Sequence, residues 1–189
     1  MTTSATAVLR KEHEAILRML DATETVARNL EDSAPVAPEL LKGLLEFFQL
    51  FADRCHHGKE EDRLFPLLIQ KGLPGEGGPI GVMLHEHAMG RSLIRHMAEA
   101  TNAYAAGDQA AGRLWAEAAD GYTGLLRAHI QKENNVLFVM AERLLSDEEQ
   151  AQLARAFDQI EIEKMGAGTH ERLHAQMAAI LGEVFAGSR

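Results

Sequence analysis

Hydrophobic positions recur every three to four residues along most of the chain, and no segment alternates apolar and polar residues with a period of two over a useful length. A spacing of three to four residues places apolar side chains on one face of an α-helix. The pattern predicts four long helices over roughly residues 5–29, 38–70, 80–105 and 108–145. Their short connections favour antiparallel neighbours, so we expect an up-down-up-down four-helix bundle.

Capping signals predict that more helix follows the bundle. Ser146 and Glu149 have the spacing of a capping box, which opens a further helix. A Gly-Ala-Gly break at residues 166–168 separates that helix from a last one. We therefore predict an all-α fold, with the bundle over residues 1–145 and a C-terminal helical pair over residues 146–189 that packs on it.

Composition and charge exclude several classes of function. A net charge of −9 argues against nucleic acid or an anionic membrane as the partner. The single cysteine, Cys55, excludes an internal disulfide and fits a reducing compartment. Residues 1–10 lack the apolar core of a signal peptide, and no apolar run approaches the roughly 18 residues of a membrane span. The expected location is cytoplasmic.

Two histidine–carboxylate steps carry the candidate chemistry: His57 with Glu61 and His129 with Glu133. Residues four apart stack on one face of a helix. With 9 histidines and 28 acidic residues, on the order of one such step arises by chance, so the face that each step occupies is decisive. On the fourth helix His129 and Glu133 fall at the centre of the apolar stripe. An unpaired carboxylate there is costly, and a bound cation offsets that cost.

The second helix offers two overlapping registers, His56 with Glu60 and His57 with Glu61. At about 100° per residue, His57 and Glu61 point with the apolar stripe, whereas His56 points away from it and Glu60 lies at its margin. We therefore choose His57 and Glu61 as site residues. The alternative is that all four residues belong to a solvated surface.

The first and third helices each add an inward histidine. His13 is centred in the stripe of the first helix, between Glu12 and Glu14, which point outward. A lone histidine on an apolar face is more often a hydrogen-bonded core residue than a ligand. On the third helix His87 lies at the edge of the stripe and Glu86 near its centre. Each of the four helices therefore points a histidine inward.

Histidines and carboxylates from four facing helices are the usual way in which a bundle builds a metal site. The mixture of nitrogen and oxygen ligands suits iron, manganese or zinc, and the lack of a cysteine cluster argues against a structural zinc site. Two carboxylates among several imidazoles suit a pair of metal ions better than a single ion.

The same residues stand in segments that resemble the bacterial members of the hemerythrin-like, HHE cation-binding family. The resemblance covers about residues 9–145, in the order His, His-x3-Glu, His, His-x3-Glu. The segments are Lys-Glu-His13-Glu, Cys-His-His57-Gly-Lys-Glu-Glu61-Asp-Arg-Leu-Phe-Pro66, His-Glu-His87-Ala-Met-Gly-Arg91 and His129-Ile-Gln-Lys-Glu133-Asn-Asn-Val-Leu-Phe. The resemblance implies a four-helix bundle around a non-haem di-iron centre, with zinc or manganese as substitutes for the two iron ions.

The resemblance also implies roles for the site residues. Glu61 and Glu133 would bridge the two irons, and the four histidines would divide into His13 with His57 and His87 with His129. Oxygen-carrying hemerythrins supply five histidines and an aspartate bridge, whereas this sequence shows no fifth inward histidine. We expect Glu86 to fill the vacant position, and His85 is the less favoured alternative.

Three functions are compatible with such a centre. In the first, the centre binds a small diatomic ligand or peroxide, and the protein senses or stores oxygen or nitric oxide. In the second, the protein is an enzyme that decomposes hydrogen peroxide or oxidises a substrate. In the third, it is an iron-responsive module whose C-terminal pair contacts a partner. A vacant ligand position favours the enzyme. Whether the chain is an enzyme stays open at this point.

Two further features of the sequence have no assigned role. His170 and His174 are four residues apart in the last helix, a spacing that binds metal but is more often a surface accident. Small residues form a patch on the back of the fourth helix, at Gly121, Gly124 and Ala128. Either the C-terminal pair or a second subunit of a homodimer could pack against that patch.

Overall fold

The computed structural model describes residues 4–166 and 168–186; residues 1–3 and 187–189, and Ala167 of the predicted break, lie outside the described residues. The described residues contain no strand, and the predicted all-α bundle with a C-terminal helical pair is confirmed. The part of the chain that the structure describes forms six helices: α1 (Ala5–Glu31), α2 (residues 38–70), α3 (Pro79–Ala105), α4 (residues 111–144), α5 (Asp147–Met165) and α6 (Thr169–Phe185).

Helices α2 and α4 are not regular α-helices along their whole length. α2 passes from α-helix (Pro38–Phe47) through π-helical turns at Phe48–His57 and Glu60–Leu64 and back to α-helix (Phe65–Gln70). α4 has one such segment, Glu133–Leu137, between Ala111–Lys132 and Phe138–Leu144. A π-helical turn bonds each residue to the fifth one along and so holds an extra residue. These wide turns change which side chains face the interior.

The bundle interior consists of two apolar clusters with a polar layer between them. The larger cluster includes Ile16, Phe51 and Leu126, and the smaller one includes Leu9 and Phe138. Along α1 the order is Leu9, then a buried histidine, then Ile16, and α2 shows the same succession of apolar, polar and apolar positions. The fold therefore places the histidines deep inside the bundle, where each must find a partner.

The C-terminal pair packs against α1 and α2. α5 begins at the predicted capping box, in which Ser146 and Glu149 exchange side-chain and backbone hydrogen bonds. α6 approaches α2 closely at Gly43, where a Cβ would lie 3.1 Å from Ile180. The pair does not lie against the small-residue patch on α4, where Gly121 instead faces Leu93 of α3. The prediction that the C-terminal pair packs on this patch is therefore wrong. That a second subunit of a homodimer packs there stays a prediction.

Across the described residues, every helix is too short or too polar to cross a membrane.

Candidate metal centre

Seven buried side chains converge at the polar layer, and their ligand atoms form two groups that share Glu60. One group consists of His57, Glu60, His87 and His129, and the other of His13, His56, Glu60 and Glu133. Within each group the candidate ligand atoms all lie within 4.8 Å of one another, and all seven residues are buried. All four bundle helices contribute.

The two carboxylates each reach both groups. Glu133 places Oε2 3.0 Å from Nε2 of His13 and Oε1 3.2 Å from Nε2 of His129. Glu60 places Oε1 3.7 Å from Nε2 of His56 and Oε2 3.5 Å from Nε2 of His87. One oxygen towards each histidine group is the arrangement that a carboxylate needs to bridge two neighbouring ions.

Every histidine of the centre faces inward through Nε2 because its other ring nitrogen is engaged. Each Nδ1–H donates to a side-chain oxygen, which fixes the tautomer and the orientation of the ring. The Nδ1-to-oxygen distances are 2.8 Å for His56 to Glu12, 2.7 Å for His87 to Glu61, 2.9 Å for His129 to Glu86, 3.0 Å for His13 to Asn134 and 3.4 Å for His57 to Asp53.

Basic side chains hold these acceptors in turn. Lys59 donates to Glu12, Lys132 donates to Glu86, and Arg91 donates to Glu61 at 2.7 Å. Burial alone would raise the pKa of Glu61, but hydrogen bonds from His87 and Arg91 lower it. The three glutamates therefore stay ionised and keep accepting from the imidazoles.

Most inner atoms of the centre lack hydrogen-bond partners, although Nε2 of His87 and Nε2 of His129 lie 3.1 Å apart. Nε2 of His13, His56 and His57 and both oxygens of Glu60 and Glu133 are buried without a hydrogen bond of acceptable geometry. Buried polar atoms are paired in the great majority of proteins. So many unpaired acceptor atoms aimed at one small space fit bound metal ions.

The pKa shifts of His56 and Glu60 agree with this fit. Burial lowers the pKa of His56 to about 4, so its imidazole is neutral near neutral pH and offers a lone pair. Burial and the adjacent Glu133 carboxylate raise the pKa of Glu60. Two buried carboxylates so close together resist joint ionisation, and cations between them would remove that obstacle.

The prediction that Glu61 rather than Glu60 faces the interior of the bundle is wrong, as is the prediction that His56 points away from it. His56 is 1% exposed and Glu60 is fully buried, whereas the Glu61 side chain is 26% exposed and lies outside both groups. The reason is the π-helical turn Phe48–His57, which holds an extra residue and so brings His56 and His57 inward together. The fifth inward histidine, which the 100° rule did not find, is His56.

Two acidic residues of the Glu-His pairs on α1 and α3 also differ from expectation. Glu86 joins neither group but accepts from Nδ1 of His129, and so it does not fill a vacant ligand position. Glu12 was expected to point outward, yet it is only 6% exposed and accepts from His56. Glu86 and Glu12 both lie one hydrogen bond outside the two groups of candidate ligands. The structure brings His13, His57, His87, His129 and Glu133 together in the cluster. His57, however, groups with His87 and His129 rather than with His13, as the resemblance had implied.

A pattern in the sequence could have identified Glu60. The segment His56-His-Gly-Lys59-Glu60 repeats as His129-Ile-Gln-Lys-Glu133, with lysine directly before the glutamate in both. In each copy the lysine and the histidine bind the same glutamate of a neighbouring helix. That residue is Glu12 for the first copy and Glu86 for the second. The shared spacing His-x-x-Lys-Glu marks Glu60, rather than Glu61, as the counterpart of Glu133.

A cavity of about 440 Å³ between α2, α3 and α4 leads to the group of three histidines. His57, His87 and His129 line its inner end. Its walls are partly apolar, at Gly90, Ile94, Tyr122 and Leu126, and arginines line its rim, at Arg54, Arg91 and Arg95. A small molecule can therefore approach this group from solvent.

The fold and the cluster together define an all-α bundle with a buried histidine–carboxylate metal centre. Residues 4–141 match the Hemerythrin HHE cation binding domain, and the chain belongs to that family. The resemblance found in the sequence is thereby confirmed.

Several curated proteins are similar to the chain. An uncharacterized protein of Mycobacterium tuberculosis (strain H37Rv) is 27% identical over 173 residues, which is 91% of this chain and 67% of that protein. The iron-sulfur cluster repair protein DnrN of Neisseria gonorrhoeae is 39% identical, over 44% of this chain and 54% of DnrN. The iron-sulfur cluster repair protein YtfE of Escherichia coli (strain SMS-3-5) is 34% identical, over 55% of this chain and 49% of YtfE. The chain thus aligns with only about half of each repair protein. No solved structure matches it.

Proposed function

We propose that the cluster binds two iron ions, with Glu60 and Glu133 bridging them. His13 and His56 would bind one ion, and His57, His87 and His129 would bind the other. The observation that carries this proposal is the set of buried, unpaired nitrogen and oxygen atoms aimed at one space. Iron suits the mixture of imidazole and carboxylate, and manganese or zinc could occupy the same donors.

We further propose that the centre binds a small diatomic ligand or peroxide. A pair of iron ions, when bound, supplies two-electron redox chemistry to oxygen, nitric oxide or peroxide. The protein contributes the cavity, which reaches the histidines of one group and presents apolar walls at Ile94 and Leu126. Such walls limit the water that accompanies a small uncharged ligand to the centre. With this function we propose a cytoplasmic location. We also propose that the protein acts without nucleic acid or a membrane as its partner.

A second candidate function is iron handling in the repair of iron–sulfur clusters. It is favoured by the names of DnrN and YtfE, which are similar to this chain over about half of their length. Under this proposal the centre would give up or accept iron rather than hold a gas.

Anaerobic purification after ferrous loading, followed by elemental analysis, tests the centre. We expect about two iron ions per chain, and less than one ion per chain would contradict the di-iron assignment. Spectra are then recorded with oxygen, nitric oxide and hydrogen peroxide.

The response separates the functions. A reversible spectral change indicates a ligand-binding or sensing protein, and sustained oxygen evolution from peroxide indicates an enzyme. Iron that leaves the protein for a damaged iron–sulfur cluster, with no stable ligand adduct, supports the repair function.

A further inference from the structure

A second set of metal-ligating side chains lies outside the bundle core, where α6 packs near α1 and α2. His170 and His174 are one turn apart on α6, and their Nε2 atoms lie 2.8 Å from each other. Both rings line a cavity of about 530 Å³ that is separate from the one leading to the buried centre.

The surroundings of the pair fix its orientation. Oε2 of Glu161, on α5, lies 3.3 Å from Nδ1 of His170, which favours the proton on Nδ1 and the lone pair on Nε2. Without an ion this lone pair accepts from Nε2 of His174, and an ion between the two rings would replace that hydrogen bond. A carboxylate behind a histidine in this way is a recurring feature of metal sites. The buried ring of Phe51 packs beneath both imidazoles, with ring centroids 5.6 Å from His170 and 5.5 Å from His174.

We propose that His170 and His174 form a binding site for a single divalent transition-metal ion, distinct from the buried centre. With metal–nitrogen bonds of about 2.0–2.1 Å, two nitrogens 2.8 Å apart subtend roughly 85° at the ion. That angle corresponds to neighbouring positions of a tetragonal or octahedral ion, which favours Cu²⁺ or Ni²⁺ over tetrahedral zinc. Water from the cavity completes the coordination.

An alternative chelate at the same place is weaker. Cys55, Glu161 and His170 also bring ligand atoms within 4.8 Å of one another. However, Nζ of Lys59 lies 2.5 Å from Oε1 of Glu161, and burial raises the pKa of the Cys55 thiol to about 12. Metal binding needs the thiolate, and a lysine cation occupies the space that the ion would take. The histidine pair has neither obstacle.

The charges that face the cavity are mixed. Glu12, Glu14 and Glu161 supply negative charge, whereas Lys11 and Arg18 supply positive charge. A partly exposed pair of imidazoles in such surroundings forms a site of moderate affinity. The proposal does not depend on the proposed function, because none of its ligands belongs to the buried cluster.

The test is a calorimetric titration of the iron-loaded protein with Ni²⁺, with iron content measured before and after. We expect one Ni²⁺ per chain without loss of iron, and at least a tenfold weaker Ni²⁺ affinity in His174→Ala. His96→Ala, which removes an exposed histidine of α3, should bind Ni²⁺ like the wild type.

Three outcomes would overturn the proposal: no Ni²⁺ binding to the wild type, unchanged affinity in His174→Ala, or an equal loss in His96→Ala. Displacement of iron by Ni²⁺ would also overturn it, because the ion would then sit in the buried centre. A low iron content at the outset would count against the di-iron assignment alone.

Discussion

The two halves of the bundle, α1 with α2 and α3 with α4, use the same local pattern to build the metal centre. Each half carries a Glu-His pair on its first helix and His-x-x-Lys-Glu on its second. They differ at the position after the first histidine of the second helix, where α2 has His57 and α4 has Ile130. That one difference supplies the third imidazole of the group that faces the cavity.

The lysines of the two halves show the second difference. Lys59 is fully buried and also binds Glu161 of α5, whereas Lys132 is 41% exposed and binds Glu86 alone. A helix of the C-terminal pair thus binds the lysine of the first half, whereas the lysine of the second half is partly exposed. The same sequence pattern performs the same task in two environments, so the cost of disturbing it should differ between the halves.

The largest expected effect separates two adjacent glutamates of α2. Glu60→Ala should lose nearly all bound iron, because Glu60 reaches both histidine groups. Glu61→Ala should keep its iron under excess metal, with an affinity reduced about 10–100-fold because Glu61 only orients His87. Iron per chain after gel filtration is the measurement. Equal iron in the two variants would mean that Glu60 is not a bridge.

Next in size is the contrast between the buried and the exposed lysine. Lys59→Met should lower the free energy of unfolding by about 3–5 kcal/mol, because it leaves Glu12 buried without its cation. Lys132→Met, its counterpart, should cost about 0–1 kcal/mol because that ion pair is partly exposed. Urea unfolding of both metal-free variants measures the difference, and similar losses would argue against the role given to burial.

A smaller effect is expected from the outer carboxylate of the second half. Glu86→Ala removes the acceptor for Nδ1 of His129, and iron affinity should fall about 10–100-fold. Glu117→Ala, an exposed glutamate of α4, is the control and should leave affinity unchanged. Competition with a chelator of known affinity gives the values. An unchanged affinity in Glu86→Ala would show that the histidine keeps its orientation without the carboxylate.

The smallest effect concerns the cavity that opens beside His57. Gly90→Leu should slow the binding of nitric oxide a few-fold at unchanged iron content, since Gly90 lines the cavity and faces Tyr122. Gly124→Leu serves as the matched control, because nothing lies within 4 Å of a Cβ there. Stopped-flow absorbance follows the rate. Identical rates in both variants would indicate another route to the ions.

The two halves also differ in how well their sequence predicts which side chains face inward. His129 is on the regular part of α4, where 100° per residue holds, and so it was placed correctly. His56 lies within π-helical turns, where an apolar pattern at α-helical period assigns the wrong face. The partners of the histidines, such as Glu12 and Asn134, come from neighbouring helices, and no local pattern in one helix encodes such contacts.

The hydrogen bonds at Nδ1 have a consequence for the entropy of metal binding. Because each ring is already held by an oxygen, most of the side-chain freedom is lost when the chain folds and little remains to be lost when ions bind. Ions that bind there would therefore meet preorganised ligands, which favours affinity. The same hydrogen bonds would keep the imidazoles in place if the charge of bound ions changed, so under the proposed function the site should keep one shape.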